Sequence, residues 1–142
     1  MEYNLDRYLK AQKYDYEIAK KELLNGHKKS HWMWYIFPQI KGLGHSYDSH
    51  LYGLDGLEEA EAYYNHEILG TRLKELCNIL LSLDTNDAYS IFGDPDDKKL
   101  RSSMTIFLLA TNDKIFQDVL DKFYDGKLDK LTVGLINNKL IC

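Results

Sequence analysis

The chain predicts an all-α protein, a single multihelical domain over residues 1–142. Three observations carry this. Apolar residues recur at helical intervals in two long stripes. No run alternates in the two-residue period of a half-buried strand. No Asn-Gly or Asp-Gly pair lies between two β-rich runs, as a short hairpin would need. No internal repeat, low-complexity tract or linker divides the chain.

The elements follow in order. Leu5, Leu9, Gln12, Tyr16, Ala19 and Leu23 mark one face of a helix that ends at Asn25-Gly26. Gln12 is the exception on that face, an amide where an apolar residue is expected. Ser30 is expected to cap, and Pro38 to stop, an element of about two turns that holds Trp32, Trp34, Ile36 and Phe37. Residues 39–56 form the longest glycine-rich, irregular stretch. Asp55 with Glu58 resembles a capping box that opens a helix through Tyr64. His66 falls at a junction, after which Leu69, Leu73, Leu76, Leu80 and Leu83 make the second stripe. Asp84 is expected to cap a short helix that stops at Phe92-Gly93. Asp94-Pro95-Asp96-Asp97 offers an N-cap, a proline at the first helical position and acids in the first turn, so a helix should run from there to about Ala110. Asn112 caps the next, which ends near Asp125-Gly126, and 128–140 makes the last.

A chain of 142 residues can bury a core without metal or disulfide help. Its 44% hydrophobic and 28% charged residues are ordinary for a folded protein and argue against disorder. A net charge of −4 disfavours non-specific binding to nucleic acid, which selects a basic face. Cys77, inside a helix, and Cys142, the last residue, read as reduced structural thiols. No basic-then-apolar leader pattern opens the chain, and no run approaches the roughly eighteen apolar residues of a membrane helix. The expected location is the cytoplasm, with no membrane partner.

The densest chemistry lies in 31–46. Trp32, Trp34, Ile36 and Phe37 stand beside His31, Gln39, Gly42, Gly44 and Ser46. Rings interleaved with hydrogen-bonding groups make an apolar wall on which polar groups converge, the make-up of a small-molecule site. The plain alternative is a core helix followed by a turn, with nearby amides serving only the indole N–H groups. Gly42-Leu43-Gly44-His45-Ser46 could present backbone N–H groups to an anion. It is neither a Walker A loop nor a nucleophile elbow. The five histidines and two cysteines match no zinc spacing, so no metal site is expected. In 96–105, Asp96, Lys99 and Ser103 share one helix face, and Lys98, Ser102 and Thr105 another. Hydroxyls inside a helix need a reason, either a ligand or bonds back to the preceding turn.

These residues resemble a bacterial family. Ala11-Gln12, Lys29-Ser30-His31-Trp32-Met33-Trp34, Phe37-Pro38-Gln39 and Gly42-Leu43-Gly44 with Ser46, Ser49 and Tyr52 carry the likeness. Glu59-Ala60, His66, Leu69-Gly70, Arg72-Leu73, Ile91-Phe92-Gly93, Asp96, Lys99-Leu100 and Ser102-Ser103-Met104-Thr105 extend it. Together they look like the family known as domain of unknown function 1810. The departures are Glu67, where the family usually has proline, and the tail at Val133-Gly134. The resemblance implies one multihelical domain and brings no established activity. Some members are labelled calpastatin, a flexible polar inhibitor that 13% aromatics and continuous helical stripes do not fit. A second similarity is to the NADAR proteins, helical N-glycosidases linked to ADP-ribose. It rests on helix order and on Asp121-Lys122-Phe123.

Three readings stay open. In the first, the protein is a hydrolase of a nucleotide-like or ADP-ribose-like N-glycoside. Trp34 and Tyr52 stack on a ring, Gln12 and Gln39 read its edge, and the Gly42 and Gly44 backbone with Lys29 and Lys99 holds phosphate. Asp96 steadies an oxocarbenium-like state, while His31, Ser46, Ser102 and Thr105 complete the lining. In the second, the same pocket binds a small metabolite or a protein partner without turnover. In the third there is no pocket and the motif is core. No cofactor is expected under any of them.

Overall fold

The structure, a computed structural model, describes residues 3–141, with side chains described through residue 138. Among the described residues the chain forms nine helices: α1 (Asp6–Leu24), α2 (Met33–Ile36), α3 (Tyr47–Tyr52), α4 (Leu57–Asn65), α5 (Glu67–Ser82), α6 (Ala88–Phe92), α7 (Asp96–Thr111), α8 (Lys114–Tyr124) and α9 (Lys130–Ile141). No strand forms among them. The one backbone pairing of sheet type is an isolated parallel bridge between Ile40 and Leu54. The all-α reading holds.

Each apolar stripe finds its partner. α1 buries Tyr8, Gln12, Tyr16, Ala19 and Leu23 against α5, whose Leu69, Leu73, Leu76 and Leu80 face inward. α7 is the central helix. Leu100 and every residue from Ser102 to Phe107 are buried, because α4, α6, α8 and α9 pack around it. Cys77 is buried against Met104, and burial pushes its thiol up, so it is inert core. Cys142 lies outside the described residues.

Several helix starts differ from expectation. Asp87, not Asp84, caps α6 by accepting from the Tyr89 N–H. Asn112 ends α7 in the left-handed region, and Asp113 caps α8 instead. Pro95 stands at the N-cap of α7, one place earlier than expected, while Asp94 pairs with Lys98 at 2.8 Å. α4 starts after Gly56. There Glu59, not Glu58, reaches back, and its Oε1 accepts from the Asp55 N–H at 2.7 Å. His66 does sit in the α4–α5 junction, where its Nδ1 accepts from the N–H groups of Ile68 and Leu69. Glu67 then takes the first helical position, a place that suits the family's proline. Gly70 closes this corner: a Cβ there would stand 1.9 Å from the Tyr64 carbonyl oxygen.

Two corrections bear on the site. Ser30 caps nothing, and α2 is a single turn that begins three residues later. The preceding segment is held by Glu22, whose carboxylate accepts from the N–H groups of Lys29 and Ser30, the Ser30 hydroxyl and Trp32 Nε1. The stretch 39–56 is not irregular throughout. Ser46 caps the six-residue α3, and the Lys41–Leu54 and Leu54–Gln39 backbone bonds, both 2.7 Å, close its base. Arg7 then fastens that base to α4. Its guanidinium donates to the carbonyls of Leu51 and Gly53 and to Glu59.

Candidate functional site

Trp34 of α2, the chain from Gln39 to Ser46, the first turns of α7 and the start of α9 meet around one cleft of about 530 Å³. Trp34 is half-buried and lines the cleft together with Leu43 and Leu131. Gly44 lets the loop lie on the indole. A Cβ there would meet Ser49 Cβ at 2.9 Å and Trp34 Cη2 at 3.2 Å, too close for any side chain without movement.

The polar groups have distinct states. Gln39 is 4% exposed, and its Nε2 is buried without a hydrogen-bond partner among the described residues. Its backbone carbonyl accepts from the Leu54 N–H, which fixes the main chain of Gln39 where it lines the cleft. Lys99 Nζ lies 4.2 Å from the centre of the Trp34 ring and 3.2 Å from Asp96 Oδ1. One face of that indole is therefore already covered by a cation. Arg101 spans to α9's leading segment through the carbonyls of Lys127 and Leu128, both at 2.9 Å. Asp129 caps α9: its Oδ2 accepts from the Thr132 N–H, the Thr132 hydroxyl and the Ser102 hydroxyl. Three cationic residues, Lys98, Lys99 and Arg101, line the cleft with one carboxylate, Asp129. Lys98 and Lys99 are already paired with Asp94 and Asp96, whereas the Arg101 guanidinium donates to main-chain carbonyls.

Two recesses adjoin the cleft. One, of about 400 Å³, shares Trp34 and Lys99 with it and is lined further by Lys28, His31, Asp48 and Asp96. Here Asp96 is clamped, with Oδ2 at 2.7 Å from Lys28 Nζ and Oδ1 on Lys99. The other, of about 290 Å³, shares Leu43 and Leu131 and includes Gly42.

The expected site residues therefore divide. Trp34, Gln39, Gly44, Ser46, Lys99 and Ser102 line the cleft, His31 and Asp96 the first recess, and Gly42 the second. Four are elsewhere. Gln12 is a buried hub: its Nε2 donates to the Tyr35 carbonyl and the Tyr63 hydroxyl, and its Oε1 accepts from Arg72. Tyr52 packs on Tyr8 of α1 and on Tyr35, and lines neither the cleft nor its two recesses. Thr105 is fully buried, with its hydroxyl bonded back to the Arg101 carbonyl. Lys29 is exposed and lines none of the recesses. In the non-helical segment before α2 neighbouring side chains diverge, so Lys28 turns inward in its place. Sequence reasoning missed Lys28, Arg101 and Asp129. Asp129 carried a signal, an N-cap residue three places ahead of Thr132, that starting the last helix at 128 obscured.

The hydroxyls bond within the protein. Ser46 Oγ accepts from the Ser49 N–H as the α3 cap. Ser102 Oγ sits within 3.1 Å of Asp129 Oδ2 and 3.3 Å of the Lys98 carbonyl. A separate depression of about 560 Å³ on the outer face of α5, around Thr71, Lys74, Glu75 and Asn78, is an open surface. It gathers none of the expected residues.

Among known proteins, the family model described as protein of unknown function, DUF1810, matches residues 2–136. The crystal structure of the conserved hypothetical protein Rv1873 from Mycobacterium tuberculosis is similar over 94% of this chain and 96% of that one, with 43% identity and a TM-score of 0.92. No curated protein matches. Neither match is to the NADAR proteins. No helix among the described residues is long and apolar enough to cross a membrane.

Proposed function

We propose, for a chain that belongs to the DUF1810 family of proteins of unknown function, that it binds a small anionic, ring-bearing molecule of nucleotide-like make-up in the Trp34–Lys99 cleft. One observation carries the reading. Gln39 lines the cleft, and its Nε2 is buried without a hydrogen-bond partner among the described residues. Leaving a buried donor unmade costs about 1–3 kcal/mol, a cost removed when a ligand oxygen accepts from it. Lys98, Lys99 and Arg101 favour an anion in the same space, and Trp34 offers an apolar edge.

Binding without turnover is supported over N-glycoside hydrolysis. Asp96, the carboxylate suited by sequence to an oxocarbenium-like centre, has both oxygens on ammonium groups. So committed, it acts as counter-ion for Lys28 and Lys99 and fixes their positions.

Calorimetric titration with AMP, ADP-ribose and phenyl phosphate tests this. Saturable binding is expected, weakened roughly tenfold or more by Gln39→Leu and by Lys99→Ala, with no product on prolonged incubation. No heat from folded protein at millimolar ligand would sink the proposal. Release of free base, lost in Asp96→Asn, would establish the hydrolytic reading instead.

A further inference from the structure

We infer that the molecule taken by this cleft is amphiphilic: beyond its anionic group and ring it carries an apolar substituent, alkyl, acyl or aryl, that runs over Leu43 and Leu131 into the recess at α9. The inference rests on the cleft reading above and goes further by naming the ligand class.

The recess adjoins the cleft, with Leu43 and Leu131 lining both. Leu131, in the first turn of α9, is 71% exposed and stands with Leu43 along the recess as an apolar patch. Leu135, one turn later, lines the same recess. Between these leucines the floor is bare. Gly134 has nothing within 4 Å of where its Cβ would be, and Gly42 meets only the Leu135 methyls, at 3.5 and 3.7 Å. Among the described residues, Lys130 is the one charged residue lining this recess, and it is exposed.

Polarity runs in one direction. The opposite recess balances Lys28 and Lys99 with Asp48 and Asp96, whereas in the central cleft Arg101 pairs with no carboxylate among the described residues and donates only to the Lys127 and Leu128 carbonyls. The anion therefore belongs in the centre, and the apolar surface lies on its α9 side. A ligand whose charge and hydrocarbon are separated in this way buries Leu131 and leaves its anionic group on Lys99 and Arg101.

Phenyl phosphate and its 4-butyl and 4-hexyl derivatives, kept below their micelle concentrations, provide the probe series. Affinity for the wild-type protein should rise about two- to fourfold per methylene over the first few carbons. Gly134→Leu, which places a side chain in open space and a better helix former in α9, should leave phenyl phosphate binding unchanged and abolish the dependence on chain length. Gain with chain length that survives in Gly134→Leu overturns the placement. Phenyl phosphate binding with a flat series overturns this inference alone. Failure of the whole series to bind a folded protein overturns the cleft reading with it.

Discussion

Two pairs of residues show how alike side chains separate into core residues and residues of the proposed site. Trp32 is 1% exposed, packs edge-on against Phe92 and donates its indole N–H to Glu22. Trp34, two residues on, is half-buried in the cleft. Trp32→Ala should cost about 3–5 kcal/mol in urea denaturation, Trp34→Ala only about 1–2, yet only the second should lose ligand at a temperature where both are folded. Equal costs would mean that Trp34 belongs to the core. The second pair is Gln39 Nε2 and Ser103 Oγ, buried polar atoms without partners among the described residues. Ser103 lines none of the recesses described above, so Ser103→Ala should be stabilising by up to about 1 kcal/mol with binding intact. Gln39→Leu should likewise stabilise the empty protein while weakening binding. A Ser103→Ala variant less stable than wild type would reveal a partner for that hydroxyl. Sequence could not distinguish Gln12 from Gln39, two amides in apolar surroundings. Gln12 is satisfied by Tyr35, Tyr63 and Arg72, partners 23 to 60 residues away, and Gln39 by none.

The elements were readable where they repeat and obscure where they are short. Both long stripes, on α1 and α5, appear in the periodicity because several turns reinforce one another. α3, with six residues, is too brief to show a period among glycines. Caps slipped by one to three places, since Asp84 competes with Asp87 and Asn112 with Asp113, and periodicity registers a stripe, not its first residue. The tie that shapes the site's near wall is longer in range. Glu22, at the end of α1, orders residues 29–32 and so sets Lys28 and His31 at their recess. Partial burial would raise its carboxyl. Hydrogen bonds from the Ser30 hydroxyl, the Lys29 and Ser30 N–H groups and Trp32 outweigh this and hold it at about 2, against 4.5 for an unperturbed glutamate. A group with a folded value below its unfolded one stabilises fully above the unfolded value and loses that contribution as pH falls toward the folded one. The stability advantage of wild type over Glu22→Gln should therefore be constant above about pH 5 and shrink steadily from 4.5 toward 2. Denaturant midpoints across that range would show it, and a pH-independent difference would count against the carboxylate's role.

At the scale of the molecule, the cleft is built from parts anchored on different helices, with α7 at their centre. α2 packs on α1 and α3, and α9 packs on α7, so an occupant bridges the two ends of the chain's contact network. α7 itself is enclosed by four helices, and its first turns carry Lys99, Arg101 and Ser102. A ligand seated there cannot be released by fraying at one edge; the central helix must come apart with it. Binding should therefore stabilise the native state globally. At a free concentration one hundred times its Kd the gain is about 2.7 kcal/mol, which for a domain of this size raises Tm by about 10 °C. Differential scanning calorimetry with phenyl phosphate at that excess should show one transition displaced upward as a whole. In Gln39→Leu the unliganded transition should lie at or above that of wild type, and the ligand-dependent displacement should collapse. If binding heat is measured at 25 °C but the main transition stays in place, the occupied surface lies on a segment that opens independently of α7, and the site is not the cleft described.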